Sequence, residues 1–143
     1  MISSGLEELA KRGKYLSSPS GSSMEPLFHN KDNAVEIVTA KHPLQKYDIS
    51  LHIGRDGRCV LHRIMEVRDG SYVICGDNCI VPEIVPFDRV VGVATKFYRN
   101  GKWHTVNDKR YKLYVKIWCG LYPVRKYILK ATRLAKRIGK RLK

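Results

Sequence analysis

The 143 residues, 43% hydrophobic and 28% charged, suffice for one folded domain and exclude general disorder or a fibrous repeat. The net charge of +14 is unevenly placed: residues 1–108 carry 14 basic and 13 acidic side chains, whereas residues 109–143 carry 13 basic and none acidic. The longest uncharged apolar stretch, Ile117–Val124, has 8 residues, well short of the roughly 18 that a membrane-spanning helix needs.

In chain order, Ser4 stands three residues before Glu7 as in a capping box, and Leu6, Leu9 and Ala10 share a face, which predicts a helix over residues 4–13 ending near Gly13. Glu7 and Glu8 stand where a secretory signal would need an apolar core, so a cytoplasmic location is expected. Ser17–Ser23 reads as either a flexible linker or a tight functional loop. Strands are predicted at Ala34–Thr39, Tyr47–Ile53, Arg58–Val67, Ser71–Cys75, Val90–Tyr98 and Lys102–Val106. Arg55-Asp56-Gly57, Asp69-Gly70 and Asn100-Gly101 are hairpin turn signals, so the body should be mainly antiparallel β.

The charge shift divides the chain into a body, 1–108, and a basic helical tail, 109–143. In the tail Val124, Ile128, Ala131, Ala135, Ile138 and Leu142 recur at helical spacing, with Lys and Arg opposite and Trp118, Tyr122 and Tyr127 near its start. Such a helix favours an anionic membrane surface through residues 121–143, on the inner membrane face for a cytoplasmic protein. Docking on the body is the plainer alternative. Nucleic acid fits least, since the body lacks a basic sheet face interleaved with aromatics.

Cys59, Cys75, Cys79 and Cys119 are expected as reduced thiols, because a chain of this size needs no disulfide. Cys75 and Cys79 lack a second closely spaced pair, so neither a metal nor any other cofactor is expected.

Three segments carry chemistry. Ser20-Gly21-Ser22-Ser23-Met24-Glu25-Pro26 can expose a serine at a tight turn with its own N–H free for an oxyanion. A serine needs a base at neutral pH, and Val60-Leu61-His62-Arg63-Ile64 offers His62 on a strand; a lone histidine there is more often structural. Tyr72 to Asn78 is a strand running into a turn, with Asp77 and then Glu83 as carboxylates able to orient an imidazole. Arg63 should point to the opposite face from His62, as a solvated charge or toward a carboxylate. His29 is a rival base in an exposed turn, while His42, His52 and His104 read as structural or surface residues.

Together these segments resemble the signal peptidase I family of serine proteases, within the wider superfamily shared with self-cleaving LexA-type repressors, in its histidine-type archaeal and endoplasmic reticulum form. Gly21-Ser22-Ser23-Met24-Glu25-Pro26 matches the nucleophile box, Tyr47-Asp48-Ile49 the segment before the base strand, Val60-Leu61-His62-Arg63-Ile64 the base box and Gly76-Asp77-Asn78 the Gly-Asp-Asn box; Val91-Gly92-Val93-Ala94 approximates a late strand. The order agrees from about residue 15 to 105. The resemblance implies coiled antiparallel sheets, Ser23 as nucleophile, His62 as general base, the Ser23 N–H in the oxyanion hole and cleavage after small side chains. Glu83 falls where relatives carry a catalytic Asp, and Asp77 is the alternative orienting acid, slightly preferred. Gly21 occupies a position where some relatives add a hydroxyl to the oxyanion hole. Signal peptidases are anchored by a membrane span, which this chain lacks; a leader on a cytoplasmic precursor peptide is then the expected substrate. The other functional class is a non-catalytic module of this fold held at an anionic membrane or acidic partner by its tail.

Overall fold

The computed structural model describes residues 4–29 and 33–142, without the Ser4 side chain on which the expected capping box rests. Helix α1 (Ser4–Arg12) leads into strands β1 (Lys14–Ser17), β2 (Ala34–Thr39), β3 (Ile49–Ile53), β4 (Cys59–Val67), β5 (Ser71–Cys75) and β6 (Glu83–Pro86). A 3-10 turn at Phe87–Arg89 precedes β7 (Val90–Arg99) and β8 (Lys102–Thr105), and helices α2 (Lys109–Gly120) and α3 (Tyr122–Arg141) close the chain. The strands form one antiparallel sheet in the order β1-β2-β7-β3-β4-β5-β6, with β8 paired to β7. The expected antiparallel sheet is present, though not closed; with helix nearly as abundant as strand, 32% against 35%, the architecture is mixed, an antiparallel sheet with three helices, and "mainly β" holds only in part.

The three turn signals join β3 to β4, β4 to β5 and β7 to β8. At the last, Asn100 and Gly101 both take positive φ, 52° and 78°, as a two-residue hairpin loop with right-handed strand twist requires. Strands β1 and β6 were not expected: each has four residues, too few to show a period of two.

One core cluster gathers Leu9 of α1, Met24, Leu27 and Phe28 of the Ser-rich loop, Ile37, Leu51 and Phe97 of the sheet, and Tyr111, Val115 and Cys119 of α2. The shift in charge at residue 108 is therefore no packing boundary, because α2 is part of the body's core. A second cluster, with Ile64, Tyr72, Ile74 and Val85, fills the β4–β6 side. All four cysteines are free thiols.

Candidate active site

The Ser22–Leu27 turn is tied to the turn after β5 by a set of short-range bonds. The Asn78 N–H donates to the Ser23 carbonyl at 2.9 Å and its side-chain amide to the Ser22 carbonyl at 3.0 Å. The Asp77 N–H meets the sulfur of buried Met24 at 3.4 Å, which explains why an apolar residue follows the serine. Gly21, at φ +84°, turns the chain into this loop. With its carbonyl engaged, Ser23 keeps an N–H that makes no hydrogen bond among the described residues, as an oxyanion donor must.

Gly76 is where the three segments meet. A Cβ added there would lie 2.5 Å from the Ser23 carbonyl oxygen, 2.8 Å from Cys79 Sγ and 3.1 Å from His62 Nε2. Only glycine lets the Ser23 loop and β4 close on this point. His62 Nε2 and the Ser23 carbonyl thus both flank the backbone of Gly76. Burial, then the neighbouring imidazole of His52, lowers the His62 pKa to about 4, so His62 is neutral and able to accept a proton at neutral pH.

Beside Ser23 opens a cleft of about 290 Å³, bounded by Tyr15, Ser17–Gly21, Met24 and Phe28 on one side and Leu51 and Cys59–Leu61 on the other. Pairing of β4 with β5 begins only at Arg63, so the outer backbone edge of Cys59–His62 is left open by β5 along this cleft. A larger cleft of about 530 Å³ lies between Gln45–Ile49 and α2, but neither Ser23 nor His62 lines it.

The two candidate acids part company. Asp77 is fully buried and receives two parallel bonds from Arg63, at 2.7 and 2.9 Å, and one from the Tyr114 hydroxyl at 2.7 Å. Arg63 also donates to the Tyr47 carbonyl and the Tyr111 hydroxyl, and the Trp118 ring N–H donates to the Asp77 carbonyl. Burial opposes the charge on Arg63, but Asp77 more than offsets it and holds the guanidinium well above its ordinary pKa. Asp77 therefore pins the Gly76–Asn78 turn to β4 and α2, and neither carboxylate oxygen comes within 4.0 Å of a His62 nitrogen. Of the two readings of Arg63, the carboxylate partner is the one the structure contains, buried rather than exposed.

Glu83 lies at the start of β6, half exposed, with Oε2 3.7 Å from Nε2 of His52. His52 was expected to be structural or on the surface, and sequence reasoning passed it over. It is fully buried, neither ring nitrogen has a hydrogen-bond partner among the described residues, and its ring centroid lies 6.0 Å from that of His62. His29 is exposed and faces Glu25, whereas His42 is held by the Tyr72 hydroxyl and the Val90 carbonyl. Among the described residues no three His, Cys, Asp or Glu side chains form a metal-binding group. Burial raises the Cys75 thiol to about 11 and raises that of Cys79, which keeps both protonated and unsuited as nucleophiles at neutral pH.

The tail also differs in part from expectation. Trp118 and Tyr122, anticipated at a lipid boundary, are used internally: Trp118 binds the Asp77 carbonyl and the Tyr122 hydroxyl donates to the Ile80 carbonyl. Between their rings sits the fully buried guanidinium of Arg125, 5.8 and 4.9 Å from the centroids and 3.4 Å from the Gly76 carbonyl. Tyr127 remains exposed. No helix among the described residues is long and apolar enough to cross a membrane.

Compared with known proteins, the chain matches no family model and no curated protein.

Proposed function

We propose that the protein is a serine endopeptidase of the signal peptidase I type, and that its open antiparallel sheet is the coiled sheet of that fold. Convergence of the Ser23 loop and His62 Nε2 on the side-chain-free position at Gly76 carries this reading. Ser23 Oγ attacks the scissile carbonyl as His62 takes its proton, and the Ser23 N–H receives the oxyanion. His62 then returns that proton to the leaving amine as the C–N bond breaks, and water hydrolyses the acyl-enzyme. The substrate is an extended peptide added along the open edge of Cys59–His62, with a small side chain before the cut, as in a leader on a precursor peptide. The test is reaction with a serine-acylating probe: wild type is labelled, while Ser23→Ala and His62→Ala each lose about 1000-fold or more in rate. A wild type that stays unlabelled with and without anionic vesicles overturns the enzyme in favour of a non-catalytic module.

A second reading concerns α3 and is favoured by the direction of its faces. At about 100° per residue, the line of Val124, Ile128, Ala131, Ala135, Ile138 and Leu142 lies about 100° from Arg125, about 140° from Leu129 and opposite Arg133. Arg125 and Leu129 are buried, and Arg133 donates to the Asn78 carbonyl at 2.7 Å, so α3 packs its cationic side on the body and turns its apolar line outward. Val124 is 52%, Ile138 50% and Leu142 83% exposed. Thirteen basic and no acidic residues from 109 to 143 oppose pairing with a second copy and suit an anionic lipid surface. The protein should co-sediment with phosphatidylglycerol-containing vesicles and not with phosphatidylcholine alone, and Ile128→Glu with Ile138→Glu should abolish this while leaving solution labelling of Ser23 intact. Absence of vesicle binding at low salt, or self-association removed by the same two changes, overturns the membrane reading and leaves the peptidase reading standing.

A further inference from the structure

A fully buried imidazole whose two nitrogens find no partner is costly, and a phenyl ring would fill the same space without that cost. His52 is such a group, and it is the polar residue with the least obvious structural reason to be there. Its placement follows from sheet register. His52 of β3 pairs with Val60 of β4, and Ser50 pairs with His62, so the two histidines are diagonal neighbours across one antiparallel pair. The pairing of β3 with β7 slips between Leu51 and His52, an irregularity of the kind that re-aims a side chain beside a site.

The ring of His52 occupies the ground between base and acid. Its centroid is 6.0 Å from that of His62, with the planes inclined at 57°, and its Nε2 is 3.7 Å from Glu83 Oε2. No Glu83 oxygen comes within 4.0 Å of a His62 nitrogen. His62 Nε2 lies beside Gly76, as does the Ser23 carbonyl, and the His62 ring makes no hydrogen bond among the described residues, so Nδ1 needs an orienting acceptor. The other charged group facing His52 is Arg89 of the 3-10 turn, whose guanidinium is held by the Ile53 carbonyl at 2.6 and 3.0 Å.

We propose that His52 is a positioning residue that couples Glu83 to His62. Glu83 accepts from the Nε2–H of His52 and so fixes the tautomer whose Nδ1 carries a lone pair; that lone pair accepts from the Nδ1–H of His62. The 3.7 Å approach to Glu83 and the wider gap between the two imidazoles, whose centroids stand 6.0 Å apart, both close to hydrogen-bond length as the site assembles around substrate. The inference rests on Ser23 and His62 being nucleophile and base. The Ser23 proton moves to His62 Nε2 as the Oγ–carbon bond forms, and from there to the leaving amine; His52 and Glu83 keep their own protonation states throughout. Where Glu83 would touch the base directly in a three-residue arrangement, here it works at one remove.

A double-mutant cycle on the acylation rate separates these arrangements. Glu83→Gln and His52→Phe should each slow labelling about 10- to 100-fold, the double variant should be no slower than either alone, and His52→Gln, which keeps a donor and an acceptor, should recover part of the rate. Multiplying losses, or a full rate in His52→Phe, overturn the coupling. A second readout requires no turnover: ¹⁵N shifts of the imidazoles report tautomers. Glu83→Gln should redistribute the His62 tautomers in the wild-type background and leave them unchanged in His52→Phe; a redistribution of equal size in both overturns the proposal. If the wild type fails to acylate, the peptidase reading falls while the tautomer experiment still decides whether His52 couples the two groups.

Discussion

Strand β4 presents two neighbouring polar residues to two different environments. Arg63 enters a network in which Asp77, Tyr47, Tyr111 and Tyr114 provide or receive the hydrogen bonds, all at 2.9 Å or less. His62, one residue earlier, faces a second imidazole, His52, which in turn stands 3.7 Å from the Glu83 carboxylate. A closed network of charge-assisted bonds gives rigidity and leaves nothing to offer a ligand. An open one keeps its donors and acceptors for a reacting group. The contrast distinguishes the two carboxylates that look equivalent in sequence: Asp77 is locked into the Arg63 network, and Glu83 stands half exposed beside His52.

The largest effect should come from opening the closed network. Asp77→Ala leaves the Arg63 charge buried without its partner and should cost about 3–5 kcal/mol in urea unfolding. A loss below about 1 kcal/mol, with Ser23 labelling lost as in Ser23→Ala, would make Asp77 catalytic and undo the comparison. Next is Gly76→Ala, whose methyl would meet the Ser23 carbonyl at 2.5 Å and His62 Nε2 at 3.1 Å. It should cost about 1–3 kcal/mol and slow acylation by spreading the site, a paired outcome that a turn remote from the chemistry would not give.

The smallest effect is a pH slope. His52 and His62 are both held below the ordinary value of 6.5 by burial, His62 at about 4. The unfolded chain therefore binds more protons than the folded one between those values. This contribution to stability is complete above about 6.5 and lost progressively as pH falls toward about 4. Urea midpoints across that window should fall on acidification, and a His52→Phe, His62→Phe variant should flatten the decline.

Much of this is legible in the chain. Glycine-bearing turns and alternating residues mark six of the eight strands, and the serine, histidine and Gly-Asp-Asn segments can be picked out by residue type. What escapes is pairing in space. Hairpin register about Asp56-Gly57 sets His52 diagonal to His62, but reading it needs the strand ends to be known within a residue. Trp118 and Tyr122 look like lipid-boundary residues because nothing in the local sequence announces the carbonyls of Asp77 and Ile80, some 40 positions earlier, that they serve. Asp77 attracts a catalytic role for the same reason: its partner Arg63 is 14 residues away and hidden by the strand's alternation.

Helix α3 buries side chains against the body only over its first half; from Lys130 to Leu142 every residue is exposed, with the Arg133 bond to Asn78 a surface contact. The helical part of this stretch, Lys130–Arg141, is twelve residues tied to the body by that bond to the Asn78 carbonyl, near the length at which helices in water are only marginally stable. The far half of α3 is therefore a cantilever whose order depends on its surroundings, and mean residue ellipticity becomes a gauge of whether anything lies against it.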